Sequence, residues 1–313
     1  MKKKFLSVVL ALAMVLSLMP AAFAAEGGVS TAEELKTAIE NAPKDGSQVT
    51  ITLDADISDM STDQIVTIAE GQNILLDMAE HSIKVASAFA GRPIRNEGTL
   101  TVTGNGTIDS SNSNTGGYGA IDNYGILTIE NGTFTGSVNA SGASIKNRPD
   151  GDLTIKDGTF NGAVTAVYNA GIAKIYNGLF DCRSCSACNN SSWGYTIQSH
   201  MDEEGKSPQL YFYNGTVIGV QGGFSTSAGY SEIHDGSFKT VSCATHTNGS
   251  SAHYALYIAG EDEDVKCVVL LSLFPKRLHL SAMIIPEETA ESMPMRPRKS
   301  KAAHLKRLQA KRP

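Results

Sequence analysis

The stretch Ala120-Ile121-Asp122-Asn123-Tyr124-Gly125-Ile126-Leu127-Thr128-Ile129-Glu130-Asn131-Gly132-Thr133-Phe134 decides the fold. It reads as an x-[IV]-x-Asn segment, a glycine turn, a strand of alternating apolar residues, and a second turn that ends on one hydrophobic side chain. Each piece returns elsewhere. The Asn-ended segment recurs as Pro93-Ile94-Arg95-Asn96, Ser144-Ile145-Lys146-Asn147 and Ala166-Val167-Tyr168-Asn169. The second turn recurs as Asn105-Gly106-Thr107-Ile108, Asp157-Gly158-Thr159-Phe160 and Asn177-Gly178-Leu179-Phe180, with looser copies at Asn214-Gly215-Thr216-Val217 and Asp235-Gly236-Ser237-Phe238. Its glycines 106, 132, 158 and 178 lie 26, 26 and 20 residues apart, and 215 and 236 lie 21 apart.

A unit of that length, holding short period-2 strands and tight turns, cannot bury its own apolar face. Stacked on copies of itself about 4.8 Å away it can, because each strand then pairs with its equivalent in the next coil. Ile, Val, Leu and Phe at matching positions form internal columns. Asn96, Asn123, Asn147 and Asn169 are expected to form an internal ladder, and the turn glycines to supply positive φ. An antiparallel sandwich would also use Asn-Gly and Asp-Gly turns, but hairpins do not explain columns that return at a coil-length period. The fold class read from these residues is all-β, a right-handed single-stranded parallel β-helix with a short N-terminal capping helix.

Such a solenoid needs its raw end covered. Residues 31–42 are suited to cover it. Ser30 with Glu33 fits a capping box, and Leu35, Ala38, Ile39 and Ala42 form one apolar stripe. The expected organisation is a signal peptide over 1–24, a capping-helix region over 25–48, the β-helix over 49–268 with an insertion loop at about 181–207, and a non-repeat basic tail over 269–313.

The first segment carries an export signature. Lys2, Lys3 and Lys4 precede an apolar run from Phe5 to Leu18, then Pro20 and the small-residue site Ala22-Phe23-Ala24. Cleavage is expected after Ala24. The run is too short for a permanent anchor, so no transmembrane segment is expected once it is removed. Secretion or cell-wall association follows.

Charge is uneven along the chain. Residues 25–264 hold 12 Lys and Arg against 29 Asp and Glu, and residues 265–313 hold 11 against 3. An acidic body argues against a nucleic-acid partner. No glycine follows Gly260, so the tail is expected to be a frameshifted remnant. Codons for Met283 to Glu291, read two bases later, can encode a glycine-rich Asp-Asn-x-Gly-Gly-Asn-Gly-Gly run. A genuine basic tail, disordered or bound to anionic wall polymers, is the other reading.

Three runs carry a family resemblance: Ser30-Thr31-Ala32-Glu33-Glu34-Leu35, Val66 to Asp77, and Ile94 to Val102. They resemble secreted, pectate-lyase-like right-handed β-helix proteins of Gram-positive bacterial surfaces, which are often adhesin-like or wall-associated. The resemblance spans roughly residues 30–260 and departs at Met78-Ala79-Glu80-His81, where that family shows Leu-Asn-Gly-His. It implies fold and location, and implies activity poorly, because the scaffold hosts lyases, hydrolases and inert stalks alike.

Candidate sites follow from the columns. Arg95, Asp122, Lys146 and Tyr168 are expected to stack outward, either as a ladder of cross-strand ion pairs or as a surface for an acidic or neutral polysaccharide. Cys182, Cys185 and Cys188 stand in the insertion at C-x₂-C-x₂-C spacing and, with Cys243 and Cys267, are disulfide candidates. A zinc site there lacks a fourth ligand unless His200 serves, and exported thiols tend to oxidise, so no metal or cofactor is expected. The same loop offers Trp193 and Tyr195 to a sugar or protein.

A lyase or glycosidase needs grouped carboxylates, and Asp109 and Asp122 are not grouped with further acids. Calcium belongs only to that enzymatic alternative. The functional expectation is therefore a non-enzymatic exported surface protein, adhesin-like or a stalk, that contacts a polysaccharide such as a host or cell-wall glycan. A carbohydrate-active enzyme is the alternative.

Overall fold

A computed structural model describes residues 23–24, 28–114, 118–137, 142–162, 165–183, 195–200, 206–220, 222–241, 254–258 and 266–269, with only the backbone of residues 23, 24, 254, 258 and 266–269. Every strand pairing is parallel, and the strands cycle through three sheets as the chain winds, which makes a parallel β-helix. The ten-stranded sheet includes Asn73–Asp77, Thr99–Thr103, Ile126–Ile129, Asp152–Ile155, Ile172–Ile175, Gln209–Phe212 and Tyr230–Ile233. One eight-stranded sheet carries the Asn-ended strands and the other carries the Phe-bearing ones.

Register follows the sequence columns. Ile126 to Ile129 pair one for one with Thr99 to Val102 below and Asp152 to Ile155 above. Leu100, Leu127, Leu153 and Leu210 point inward and are buried. Phe134, Phe160 and Phe180 stack with centroids 5.2 and 4.9 Å apart and nearly parallel rings. Burying each such side chain contributes about 1.5–3 kcal/mol, and repetition over successive coils holds the rod together. Above Phe180 the column holds Val217, and Phe212 from the ten-stranded sheet leans toward the gap at 57°.

The polar column is the ladder expected from x-[IV]-x-Asn. The Asn96 Nδ2 donates to Asn123 Oδ1 at 2.7 Å, Asn123 to Asn147 at 2.7 Å, and Asn147 to Asn169 at 2.8 Å. Each amide also donates to a carbonyl in the following turn, as Asn147 does to Ile172 at 2.9 Å. All four are fully buried. Because every rung donates in the same direction, the bottom acceptor is left over: Asn96 Oδ1 is buried without a partner among the described residues. At the top, Ser199 takes the place of asparagine and the contact lengthens to 3.5 Å.

Helix α1 (Ala32–Glu40) sits at the N-terminal end with Leu35 and Ile39 buried. Its capping box is one residue later than expected. The Thr31 hydroxyl accepts the Glu34 N–H at 3.2 Å and Glu34 accepts the Thr31 N–H. Thr31 is the residue in extended backbone, so it and not Ser30 fills the cap. The buried Gln72 amide donates to the Ile39 and Ala42 carbonyls at 2.6 and 2.9 Å, tying the helix end to the coil beneath it.

Two further expectations need correction. Gly132, Gly158, Gly178, Gly215 and Gly236 have φ between +120° and +143°, but Gly106 does not. It is glycine for want of space, because a Cβ there would run into the His81 carbonyl oxygen. Within the segment read as an insertion loop, Ile197–Ser199 is a regular rung of the Asn-bearing sheet, paired to Val167–Asn169. Outside the described residues lie most of the expected signal segment, Cys185, Cys188, Trp193, Cys243 and the tail beyond 269.

Candidate functional site

The Asn-ended strands bring Arg95, Asp122, Lys146 and Tyr168 into one register column, as their spacing predicts. The column does not form the expected Arg–Asp–Lys ladder. Asp122, expected on the outer surface, has no exposed side-chain area. Its Oδ1 accepts the Gly119 N–H at 2.6 Å. Its Oδ2 lies 3.2 Å from Arg92 Nη1 and 2.5 Å from Arg148 Nη2. Arg95 pairs with Glu97 in its own coil. The guanidiniums of Arg92 and Arg148 reach sideways from the neighbouring coils, each setting one nitrogen against Asp122 Oδ2. Side chains stacked one strand spacing apart in a column run parallel and do not meet that way.

Tyr124 is the hub. It follows ladder residue Asn123, as Glu97 follows Asn96 and Arg148 follows Asn147, and these corner residues stack through Tyr124 N–H to Asn96 O and Arg148 N–H to Asn123 O. The guanidinium carbons of Arg95, Arg148 and Arg92 lie 4.6, 5.5 and 6.0 Å from the Tyr124 ring centre. Arg92 also lies 4.8 Å from the Tyr118 ring, and Lys146 Nζ lies 4.9 Å over Tyr168. Each cation–ring contact contributes about 0.5–2 kcal/mol, more where water is excluded.

Arg92 and Arg148 are largely enclosed, at 18% and 16% exposure, whereas Arg95 is 34% exposed. Three arginines and Lys146 thus gather around the carboxylates of Asp122 and Glu97 on an otherwise acidic body. Arg95 Nε is buried without a hydrogen-bond partner among the described residues.

Arg92, Tyr118, Tyr124 and Arg148 were not singled out from sequence, since they lie outside the x-[IV]-x-Asn outward position. A signal was present: the residue after each ladder asparagine forms its own column. Tyr195 lies farther along the same face and stacks on Tyr257 at 5.4 Å. Tyr257 shares the Tyr168 column through Gln198 and Ser225.

Asp109 is on a different sheet from Asp122 and pairs with Lys84 at 3.4 Å. No group of three or more His, Cys, Asp or Glu side chains is placed to hold a metal among the described residues. Cys182 is a buried free thiol whose ionisation burial pushes up to about 12. Of the remaining cysteines only the Cys267 backbone is described, at the register position of Ser231. No helix among the described residues is long and apolar enough to cross a membrane.

The chain matches no protein-family model, no curated protein and no solved structure.

Proposed function

We propose that this chain is an exported, non-enzymatic β-helix surface protein, adhesin-like in use, that binds an acidic polysaccharide on the Asn-bearing face. The convergence of Arg92, Arg95 and Arg148 on Tyr124 carries the reading. A guanidinium suits a carboxylate or sulfate because its fork donates two parallel hydrogen bonds. Arg95 is the most exposed of the three, at 34%. Tyr124 gathers the guanidiniums over its ring, and Tyr168 adds an aromatic ring for the apolar side of a sugar.

Asp122 is enclosed beneath these groups and holds Arg92 and Arg148 in place, so it acts as a positioning residue. A rigid rod repeats weak contacts along a polymer, and multivalency then raises the affinity of each. Export is supported by the Lys2–Lys4 and Phe5–Leu18 signature and by the resemblance of residues 30–260 to secreted, wall-associated β-helix proteins.

The test is a glycan-binding screen on the purified protein with and without calcium, followed by assays for unsaturated products and new reducing ends. The expected result is binding to carboxylated or sulfated glycans without cleavage, weakened by salt and reduced at least tenfold in Arg95→Ala. Cleavage of any glycan would replace this reading with the enzymatic one. Absence of acidic ligands would end it.

A further inference from the structure

A second group of side chains lies on the outer face of the ten-stranded sheet, away from the arginine cluster. The strands Ile172–Ile175, Gln209–Phe212 and Tyr230–Ile233 stack with Ile172, Gln209 and Tyr230 in one column and Lys174, Tyr211 and Glu232 in the next. The residues that follow them, Tyr176, Tyr213 and His234, continue the ladder through Tyr213 N–H to Ile175 O and His234 N–H to Phe212 O. Their rings are stacked at 4.8 and 4.6 Å, and Tyr211 lies 5.8 Å from Tyr230. Tyr176 is 46% exposed, and Ile172, at the start of the strand that Tyr176 follows, is exposed too.

The fold does not require rings here. In the coils below, the Tyr211 column holds Thr101, Thr128 and Thr154, the Tyr176 column holds Thr103, Glu130 and Lys156, and the Tyr230 column holds Thr99, Ile126 and Asp152. The coils pair equally well with those residues, so the five rings are a local addition to the scaffold. The neighbouring charges are already matched. Lys174 lies 4.0 Å from Asp152 and Lys156 lies 2.7 Å from Glu130. Glu232 accepts the Tyr230 hydroxyl at 3.0 Å and lies 2.8 Å from His234. The face therefore offers rings and hydroxyls, with Lys174 and Glu232 each held by a neighbouring side chain.

We propose that this ring-bearing face binds a neutral polysaccharide lying across the three coils, with sugar rings against the exposed Tyr176 and against Tyr211, while Tyr213, covered on both faces by Tyr176 and His234, meets the sugar through its ring edge and hydroxyl. Apolar pyranose faces pack on aromatic rings, and sugar hydroxyls exchange hydrogen bonds with tyrosine hydroxyls. Tyrosine loses little conformational freedom in doing so. Size also favours a polymer strand over a protein. Three rungs of about five residues span roughly 14 by 17 Å, about 240 Å², well short of the roughly 800 Å² per partner of an ordinary protein interface.

The experiment is native gel electrophoresis of the intact protein through gels containing hydroxyethylcellulose, xyloglucan, galactomannan or dextran, with polygalacturonate as the acidic comparison. At least one neutral glycan is expected to retard the protein, with little dependence on salt. Tyr176→Thr with Tyr213→Thr should weaken that retardation at least fivefold, while Arg95→Ala leaves it unchanged. The single Tyr176→Thr variant, which installs the residue the same column carries at Thr103, should give an intermediate effect. Thermal unfolding of each variant confirms that the rod is intact. The proposal is overturned if none of the four neutral glycans retards the protein, or if retardation persists in the double variant. It is also overturned if Arg95→Ala is the change that removes it. Loss of polygalacturonate binding alone bears on the arginine cluster and leaves this face untouched.

Discussion

Arg148 Nη2 sits 2.5 Å from Asp122 Oδ2, and the carboxylate it meets is the one fully buried acidic side chain among the described residues. Arg92 shares the same oxygen from the other side at 3.2 Å. A buried carboxylate held by two guanidiniums and a backbone N–H is costly to dismantle, because its removal strands two enclosed cations. Asp122→Ala is expected to destabilise the protein by about 3–5 kcal/mol, read as a lower urea midpoint. It should also weaken acidic-glycan binding by freeing Arg92 and Arg148 from their positions. An unchanged midpoint would mean that the pair is incidental.

The asparagine ladder makes a graded prediction. Asn147 accepts from Asn123 and donates to Asn169, Gly151 O and Ile172 O. Asn147→Ala leaves several buried groups unpaired at about 1–3 kcal/mol each. Asn96, whose Oδ1 already lacks a partner, has less to lose. Denaturant unfolding should rank Asn147→Ala as more damaging than Asn96→Ala, and the reverse order would refute the one-way ladder.

Two glycines separate backbone strain from crowding. Gly46 has φ +83° with nothing within 4 Å of an added Cβ, whereas at Gly158, with φ +135°, a Cβ would meet the Gly132 carbonyl oxygen at 2.9 Å and the Phe160 ring at 3.3 Å. Gly46→Ala should cost about 1 kcal/mol from its dihedral alone. Gly158→Ala should cost about 2–4 kcal/mol from both effects. Equal losses of thermal stability would show that the stacked turns can yield.

Cys182 should be chemically silent. Burial pushes its thiol up to about 12, so at pH 8.5 the native protein holds it as the unreactive thiol. Iodoacetamide followed by peptide mapping should leave Cys182 unmodified in the native state and label it in urea. The thiol is favoured by the fold, so its contribution to stability is full below the ordinary thiol range. It falls as pH rises toward 12, because the unfolded chain ionises first. Cys182→Ala should lack that part of the alkaline decline. Rapid native labelling would contradict the burial.

The ladder asparagines, the Leu and Phe columns and the coil period were legible because each is set by a side chain's position within its own coil, and stacking repeats that position. Parallel pairing of Ile126–Ile129 with Thr99–Val102 and Asp152–Ile155 follows directly from where the glycines fall. The site was legible only in part. Arg95, Asp122, Lys146 and Tyr168 were placed in one column correctly, but Asp122 was expected to face solvent and is enclosed. Arg92 and Arg148 belong to corners whose direction a period-2 pattern does not specify. The Ile197–Ser199 rung was hidden because Ser199 replaces the ladder asparagine.

The sequence by itself determined the solenoid, its three repeating columns and the helix that closes its N-terminal end, since local turns and alternation fix which face of each strand meets the next coil. Only the tertiary structure decided how corner side chains from different coils come together. Arg92 and Arg148 converge on Asp122 across 30 and 26 residues of chain, and Tyr176 meets Tyr213 from the next coil. Those meetings depend on the stacking of whole coils and on long side chains reaching sideways, and neither is encoded in the period of any one segment.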